Sequence, residues 1–312
     1  MKRLRFLKSK KLGFLPAGAL LLFSLFTPGC EKSVKVSFTT RDIIRFLIRD
    51  NPGIFSNSFL DTSRVNAAGT DFFFSRNFTV KSLDTAITLN DLDTLNPGSN
   101  IVAKNPRDAG AEIIDTLIGQ LKIDSAGISR PARNFRLPAT KFGYFQKLQS
   151  DAFENRGWAI MGATQTFLGI VRILDSVQIV GLNSSRDTLV IRQARNTSLD
   201  PLSDPQVFKV RTNPFQLNPQ DSVEVRAWLR PTTIDTLFYV LCHINDYSTK
   251  RRIQLAEIDT NEFFGGFTLA PDPRLDYFHW RLSVDVIANV TLTDPFSNFY
   301  NEIWGIIYQV HP

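Results

Sequence analysis

Three histidines and two cysteines are the whole supply of classical metal-binding and thiol groups in this 312-residue chain. Zinc sites use several His, Cys or carboxylate ligands at characteristic spacing, and neither HExxH nor a paired CxxC occurs. His243 and His279 fall in neighbouring strand-like segments. Two imidazoles on one outer face would suit a transition metal, but solvated surface histidines are the simpler expectation for that pattern. Cys242 beside His243 suggests a thiol nucleophile with its base. Adjacent strand residues point to opposite faces, however, so the hydrogen bond that such catalysis needs is out of reach. Cys242 is in step with Phe238, Val240 and Ile244, which predicts a buried structural thiol. The acidic stretch "NDLDTLNPG" offers Asp91 and Asp93, but Leu95 stands where a third oxygen ligand is needed and the glycine comes late for a calcium loop. It reads as a loop. GxSxG, the phosphate-binding loop and the dinucleotide glycine motif are all absent. No catalytic residue, metal site or cofactor is therefore expected, although carboxylate pairs brought together only by folding stay open.

The other cysteine, Cys30, stands directly after a greasy run. "MKRLRFLKSKK" is basic, Leu12–Phe26 is uncharged and apolar, and small residues follow, which is the layout of an export signal. The run is shorter than the roughly 20 apolar residues of a membrane-spanning helix. The formal net charge of +6 resides here, because six of the 36 basic residues precede Cys30 and no acid does. From Cys30 onward 30 bases face 30 acids, so the rest of the chain is formally neutral and has no general attraction for nucleic acid. "FTPGC" resembles the lipobox of bacterial lipoproteins. In that family a small residue precedes the cysteine that receives a diacylglycerol thioether and becomes the new N-terminus. Gly29 and Cys30 match the two most restrictive positions, while Thr27 and Pro28 depart from the commonest pattern. The resemblance implies lipidation at Cys30 and stable anchoring by several acyl chains. Glu31, in place of the Asp that marks inner-membrane retention in such proteins, implies the outer membrane.

These segments must be carried by a mainly β body, to which an aromatic content of 12% is suited. "TTRDIIRFLIRDNPGIF" predicts a short helix capped by Thr39 or Thr40, with Ile43, Ile44, Leu47 and Ile48 on one face and Asn51-Pro52-Gly53 as its stop. Strand-like runs follow in "DFFFSRNFTV", "DTAITL", "EIIDTLIGQLKID", "TKFGYFQKL" and "GWAIMGATQTFLGIV". A leading helix followed by such strands resembles the cone-shaped domains of the nuclear transport factor 2 kind. From Ile173 eight short strands with turns between them resemble the immunoglobulin-like modules of bacterial surface lipoproteins. The expected organisation is thus a signal over 1–29, a lipidated tether over 30–38, a small α+β domain over 39–172 and an immunoglobulin-like antiparallel β-sandwich over 173–312. Residues 277–288 alternate most clearly. Phe278, Trp280, Leu282, Val284 and Val286 form a dry face, and His279, Arg281, Ser283 and Asp285 a wet one.

Trp228, Tyr239 and His279 are the candidate surface-binding residues, since exposed aromatics stack on sugar rings or anchor protein partners. The sequence as a whole predicts a non-catalytic binding or assembly component of the cell envelope, joined to a membrane through lipid. Its partner would be an envelope protein or a glycan. A small-ligand pocket or modest hydrolase in the first domain, and glycan binding by the sandwich, are the alternatives.

Overall fold

The Thr39 hydroxyl accepts from the Asp42 amide at 3.2 Å, and the Asp42 carboxylate accepts from the Thr39 amide at 3.0 Å. This reciprocal capping box starts helix α1 (Thr40–Asp50), which buries Ile43, Ile44 and Leu47 as their spacing predicts. Pro52, expected only as a stop, also opens a second short helix, α2 (Pro52–Phe55), at a position where its missing N–H has no helical partner to lose. The computed structural model describes residues 39–57, 65–66, 72–90, 107–125, 128–129, 131–169, 171–182, 188–192, 207–211, 214–235, 237–246, 249–271 and 278–310. The segment expected to be a signal, Cys30, and the acidic stretch with Asp91 and Asp93 lie outside the described residues. Among those described, no helix is long and apolar enough to cross a membrane.

The fold is mainly β. Its first strands are β1 (Val65–Asn66), β2 (Phe72–Asn90), β3 (Asp108–Ser125), β4 (Ile128–Ser129), β5 (Arg133–Lys147), β6 (Trp158–Thr164) and β7 (Thr166–Gly169). The two predicted strands "DFFFSRNFTV" and "DTAITL" are one 19-residue strand, β2, whose register against β3 shifts between Ser82 and Asp84. A bulge absorbs the break in alternation that reads as a boundary in the sequence. Gly119 of β3 lies opposite Phe78 and Phe135, and a Cβ there would stand 2.0 Å from the Asn77 carbonyl oxygen. Only glycine permits that approach.

Next come β8 (Leu174–Gly181), β9 (Thr188–Arg192), β10 (Val207–Lys209), β11 (Gln216–Leu217), β12 (Ser222–Leu229), β13 (Phe238–Asp246), β14 (Thr249–Asp259), β15 (Glu262–Thr268) and β16 (Phe278–Ala288). A short helix, α3 (Asn289–Thr293), leads to the final strand, β17 (Asn301–Val310). Each of the eight expected strand segments is a strand. Two were missed: β11, which is only two residues long, and β15, whose Gly265 and Gly266 interrupt an otherwise aromatic run.

Pairing is antiparallel throughout the described strands, except that β11 lies parallel to β17. One ladder runs β2–β3–β5–β7–β17–β16–β13–β14, and another runs β9–β8–β12–β15 and meets β14. Strands on either side of residue 172 are hydrogen-bonded to one another, β7 to β17 and β10 to β6. Residues 38–312 cluster as one compact unit.

The strands β13, β16 and β17 carry cores on both faces. One face, with Val240, Cys242, Ile244, Leu282, Val284, Val286, Trp304, Ile306 and Tyr308, packs against Val177 and Ile179 of β8, Val223 and Val225 of β12, and Phe263 and Phe267 of β15. The other face, with Tyr239, Leu241, Ile287 and Ile303, packs against Phe74, Leu117, Leu121, Phe135 and Leu137 of β2, β3 and β5. A third cluster joins α1 and α2 to β3, β5, β6 and Ile307. Every residue of β17 is consequently buried, which accounts for the near-continuous apolar reading of "IWGIIYQV". The wet face expected on β16 is corrected by this packing. Arg281, Ser283 and Asp285 are buried, Asp285 against Arg76 of β2 and Arg281 against the carbonyls of Pro52 and Gly53.

Candidate functional site

Among the described residues two places gather side chains able to do chemistry, and they differ in access. The first is sealed. Asp285, projecting from β16, accepts from Arg76 of β2, from Asn301 Nδ2 at 2.6 Å and from His243 Nε2 at 2.8 Å. Arg76 Nη1 also reaches Asn301 Oδ1 at 3.2 Å, and Asn301 Nδ2 reaches the Val286 carbonyl at 2.7 Å. Arg76 is 3% exposed, His243 1% and Asp285 0%. Burial, reinforced by the neighbouring charges of Arg76 and Arg252, holds the His243 pKa well below its ordinary value. His243 is therefore neutral and donates Nε2–H to the carboxylate. Burial, then Arg252, lowers Arg76 to about 9, so at neutral pH it still supplies the cation that Asp285 needs.

Ser283 stands directly across from His243 in the ladder, which places serine, histidine and aspartate on one face. Its Oγ is buried and makes no hydrogen bond, so the imidazole does not activate it. A second set lies nearby. Lys141 Nζ donates to the Ile54 carbonyl at 2.7 Å, and Arg281 donates to the Gly53 and Pro52 carbonyls at 2.7 and 3.0 Å. Asn57 donates to Asp115. These groups fasten α2 and the residues after it onto the strands through backbone carbonyls of the helix, of which that of Pro52 also accepts from the Ser56 amide at 3.0 Å.

The surface histidine expected at position 243 is thus corrected to a buried, carboxylate-bonded one. No group of three or more His, Cys, Asp and Glu residues among those described is placed to hold a metal. Cys242 is buried in the opposite core, as its register predicts, and burial pushes its thiol far above the ordinary range. One measurement follows from His243. Above about pH 6.5 the imidazole is neutral whether folded or unfolded and contributes nothing to pH dependence. Below that value the unfolded chain gains a proton that the folded chain refuses, so stability falls by about 1.4 kcal/mol per pH unit from this group. Denaturant midpoints between pH 7 and pH 5 should show the loss, and His243→Gln should flatten it relative to the parent. Equal slopes in both would place the titration elsewhere.

The second place is open. The outer face of β9, β8 and β12 forms a groove of about 550 Å³ lined by Trp228, Arg192, Arg230, Asp175, Ser176 and Gln178, among others. Register fixes the layout. One row across the sheet reads Arg192, Ser176, Trp228, Glu262, and the next reads Val190, Gln178, Arg226, Phe264. Trp228 is half-buried, with one side in the groove, while Arg192 and Asp175 are exposed. Arg226 pairs with Glu262 at 3.2 Å and lies over the Phe264 ring at 5.1 Å. Arg230 Nε is 3.6 Å from Asp175, and it has no hydrogen-bond partner although its atom is shielded.

Of the three surface residues expected from the sequence, Trp228 is at this groove. Tyr239 is corrected to a buried position. It is 3% exposed, packs in the core beneath β2, β3 and β5, and donates its hydroxyl to Asn289 Oδ1 at 3.3 Å. His279 lies on β16 opposite Gln309, and its side chain falls outside the described residues. Trp228 and Tyr239 are not brought together, because β12 belongs to the outer ladder and Tyr239 projects from the far side of β13. Arg76, Asp285 and Asn301 were missed for a simple reason: Arg76 is separated from its partners by 209 and 225 residues, and no local spacing reports such a contact. Asp175 is the second residue of β8 and Arg230 directly follows β12, and nothing in their local spacing sets them apart. Comparison with protein-family models and with curated proteins finds no match.

Proposed function

We propose that this protein is a cell-envelope lipoprotein, anchored through Cys30 to the outer membrane, that works by non-covalent binding. Its C-terminal strands would form an immunoglobulin-like sandwich, with β8, β12 and β15 set over β13, β16 and β17, and the outer face of that module would meet the partner. The observation that carries the binding reading is the contrast in access. The His243–Asp285 pair is closed off from solvent, whereas an open groove holds an indole among polar and charged side chains. The anchor rests on the residue order of the first thirty positions and on Gly29-Cys30. A ligand pocket or hydrolase in the N-terminal half finds less support, because the groups pointing inward there are used to hold α2 and to pair with β16.

The anchor is tested by metabolic labelling with palmitate. The expected result is label on the parent protein in the membrane fraction, accumulation of precursor under globomycin, and loss of label in Cys30→Ser. Absence of label from the parent, or its retention in the serine variant, would remove the tether.

A further inference from the structure

We infer that the groove around Trp228 takes an acidic saccharide, with a pyranose ring against the indole and its carboxylate directed to Arg192. This rests on the reading of that face as the binding surface, and it adds the ligand's chemistry. Four features of the groove agree on it.

First, Trp228 is centred in a row of the sheet, with Ser176 on one side and Arg192 beyond it. Two strand spacings put the backbones of Trp228 and Arg192 roughly 10 Å apart. A sugar ring over the indole therefore presents its ring substituents toward the arginine. Second, Arg192 is exposed and makes no ion pair among the described residues, so its fork of donors is free to hold a carboxylate. Third, the remaining lining suits a polyhydroxylated ligand. Asp175 accepts from hydroxyls, while Ser176 and Gln178 both donate and accept. Arg230 adds a second guanidinium to the lining, 3.6 Å from Asp175. Fourth, two arginines against one aspartate make the lining locally positive on an otherwise neutral body, which attracts an anion. Asp175 opposes a phosphate backbone running along the groove. Apart from Trp228, the exposed apolar contribution is small, Val190 and Pro231, which is poor footing for an apolar helix.

The test uses the full-length protein in detergent micelles, with tetragalacturonate and its methyl ester as probes. These share every ring and differ in charge. Polyglutamate serves as a polyanion without sugar rings. Titration followed by calorimetry should show tetragalacturonate binding about tenfold tighter than the ester. Trp228→Ala should weaken both sugars by about tenfold, with the thermal midpoint little changed because the side chain is only half-buried. Arg192→Gln should bring acid and ester to within roughly twofold of one another. Equal binding of acid and ester by the parent protein would overturn the assignment, as would polyglutamate binding that matches the sugar and survives Trp228→Ala. A photo-crosslinking residue at position 228 in intact cells separates the two levels. A crosslink to an envelope protein without sugar binding would refute the saccharide and retain the binding face, whereas neither crosslink nor binding would refute both.

Discussion

Asp285→Ala is expected to cost about 3–5 kcal/mol of stability, enough to unfold the protein under many conditions. Among the described residues Asp285 is the carboxylate that pairs with Arg76, a cation that is 3% exposed, and it also accepts from His243 and Asn301. Truncation removes the acceptor for all three at once. The Arg76 guanidinium would then be held in a dry interior without its counter-charge, close to the positive Arg252. A buried charge without a partner is much more costly than the pair itself is stabilising. This asymmetry provides the check. The double variant Arg76→Met with Asp285→Ala should be less destabilised than Asp285→Ala alone, because the stranded cation is gone. Denaturant midpoints for the two singles and the double measure the coupling. A loss below about 1 kcal/mol in the Asp285 single would mean that water reaches the cluster, contrary to its packing.

Trp304→Ala should be comparably damaging, at about 3–5 kcal/mol. Trp304 is 0% exposed on the strand that is covered on both faces, and it meets Phe167 edge-on at 5.4 Å and 83°. Its indole N–H donates to Glu302 Oε1 at 2.8 Å, while Glu302 Oε2 accepts from the Leu174 amide at 2.6 Å and from that of Ile173. One carboxylate thus ties the last strand to the start of β8. Burial raises the Glu302 pKa, opposed by those three hydrogen bonds and by Arg230, so the donors are what keep an ionised form tolerable. Trp304→Ala removes ring volume and one donor together. Trp304→Phe keeps most of the volume and should lose only about 1–2 kcal/mol, chiefly for the missing N–H. If the two variants melt at the same temperature, the hydrogen bond rather than the packing dominates, and the cavity argument fails.

The proposed roles of the groove and of the sealed cluster also predict separable behaviour. Changes at Trp228 and Arg192 should alter binding with little effect on folding. Changes at Asp285 or His243 should alter folding and its pH dependence, with any loss of binding following the loss of native protein.

Much of the local structure was legible because it depends on neighbours in the chain. Thr39 and Asp42 are three residues apart, and Ile43, Ile44 and Leu47 repeat at the helical period, so the cap and buried face of α1 follow directly. Cys242 points inward with Val240 and Ile244 because side chains alternate along a strand. The wet face of β12 is likewise where its Glu224, Arg226 and Trp228 predict. The same rule applied to β16 assigned two faces correctly but could not say what lies beyond the polar one. Alternation shows that the faces differ; it carries no information about which layer covers each. On β12 the polar face meets solvent. On β16 it meets Arg76, delivered by a strand more than two hundred positions earlier, and polar groups there are satisfied by one another instead of by water. Tyr239 and His243 were misjudged for the same reason. Residue order along the chain was thus sufficient for the first helix, most strands, the inward thiol and the expectation of a tether at Cys30. Tertiary packing alone decided which polar faces are sealed and which one is left open around Trp228, because burial depends on contacts between segments that sequence spacing does not encode.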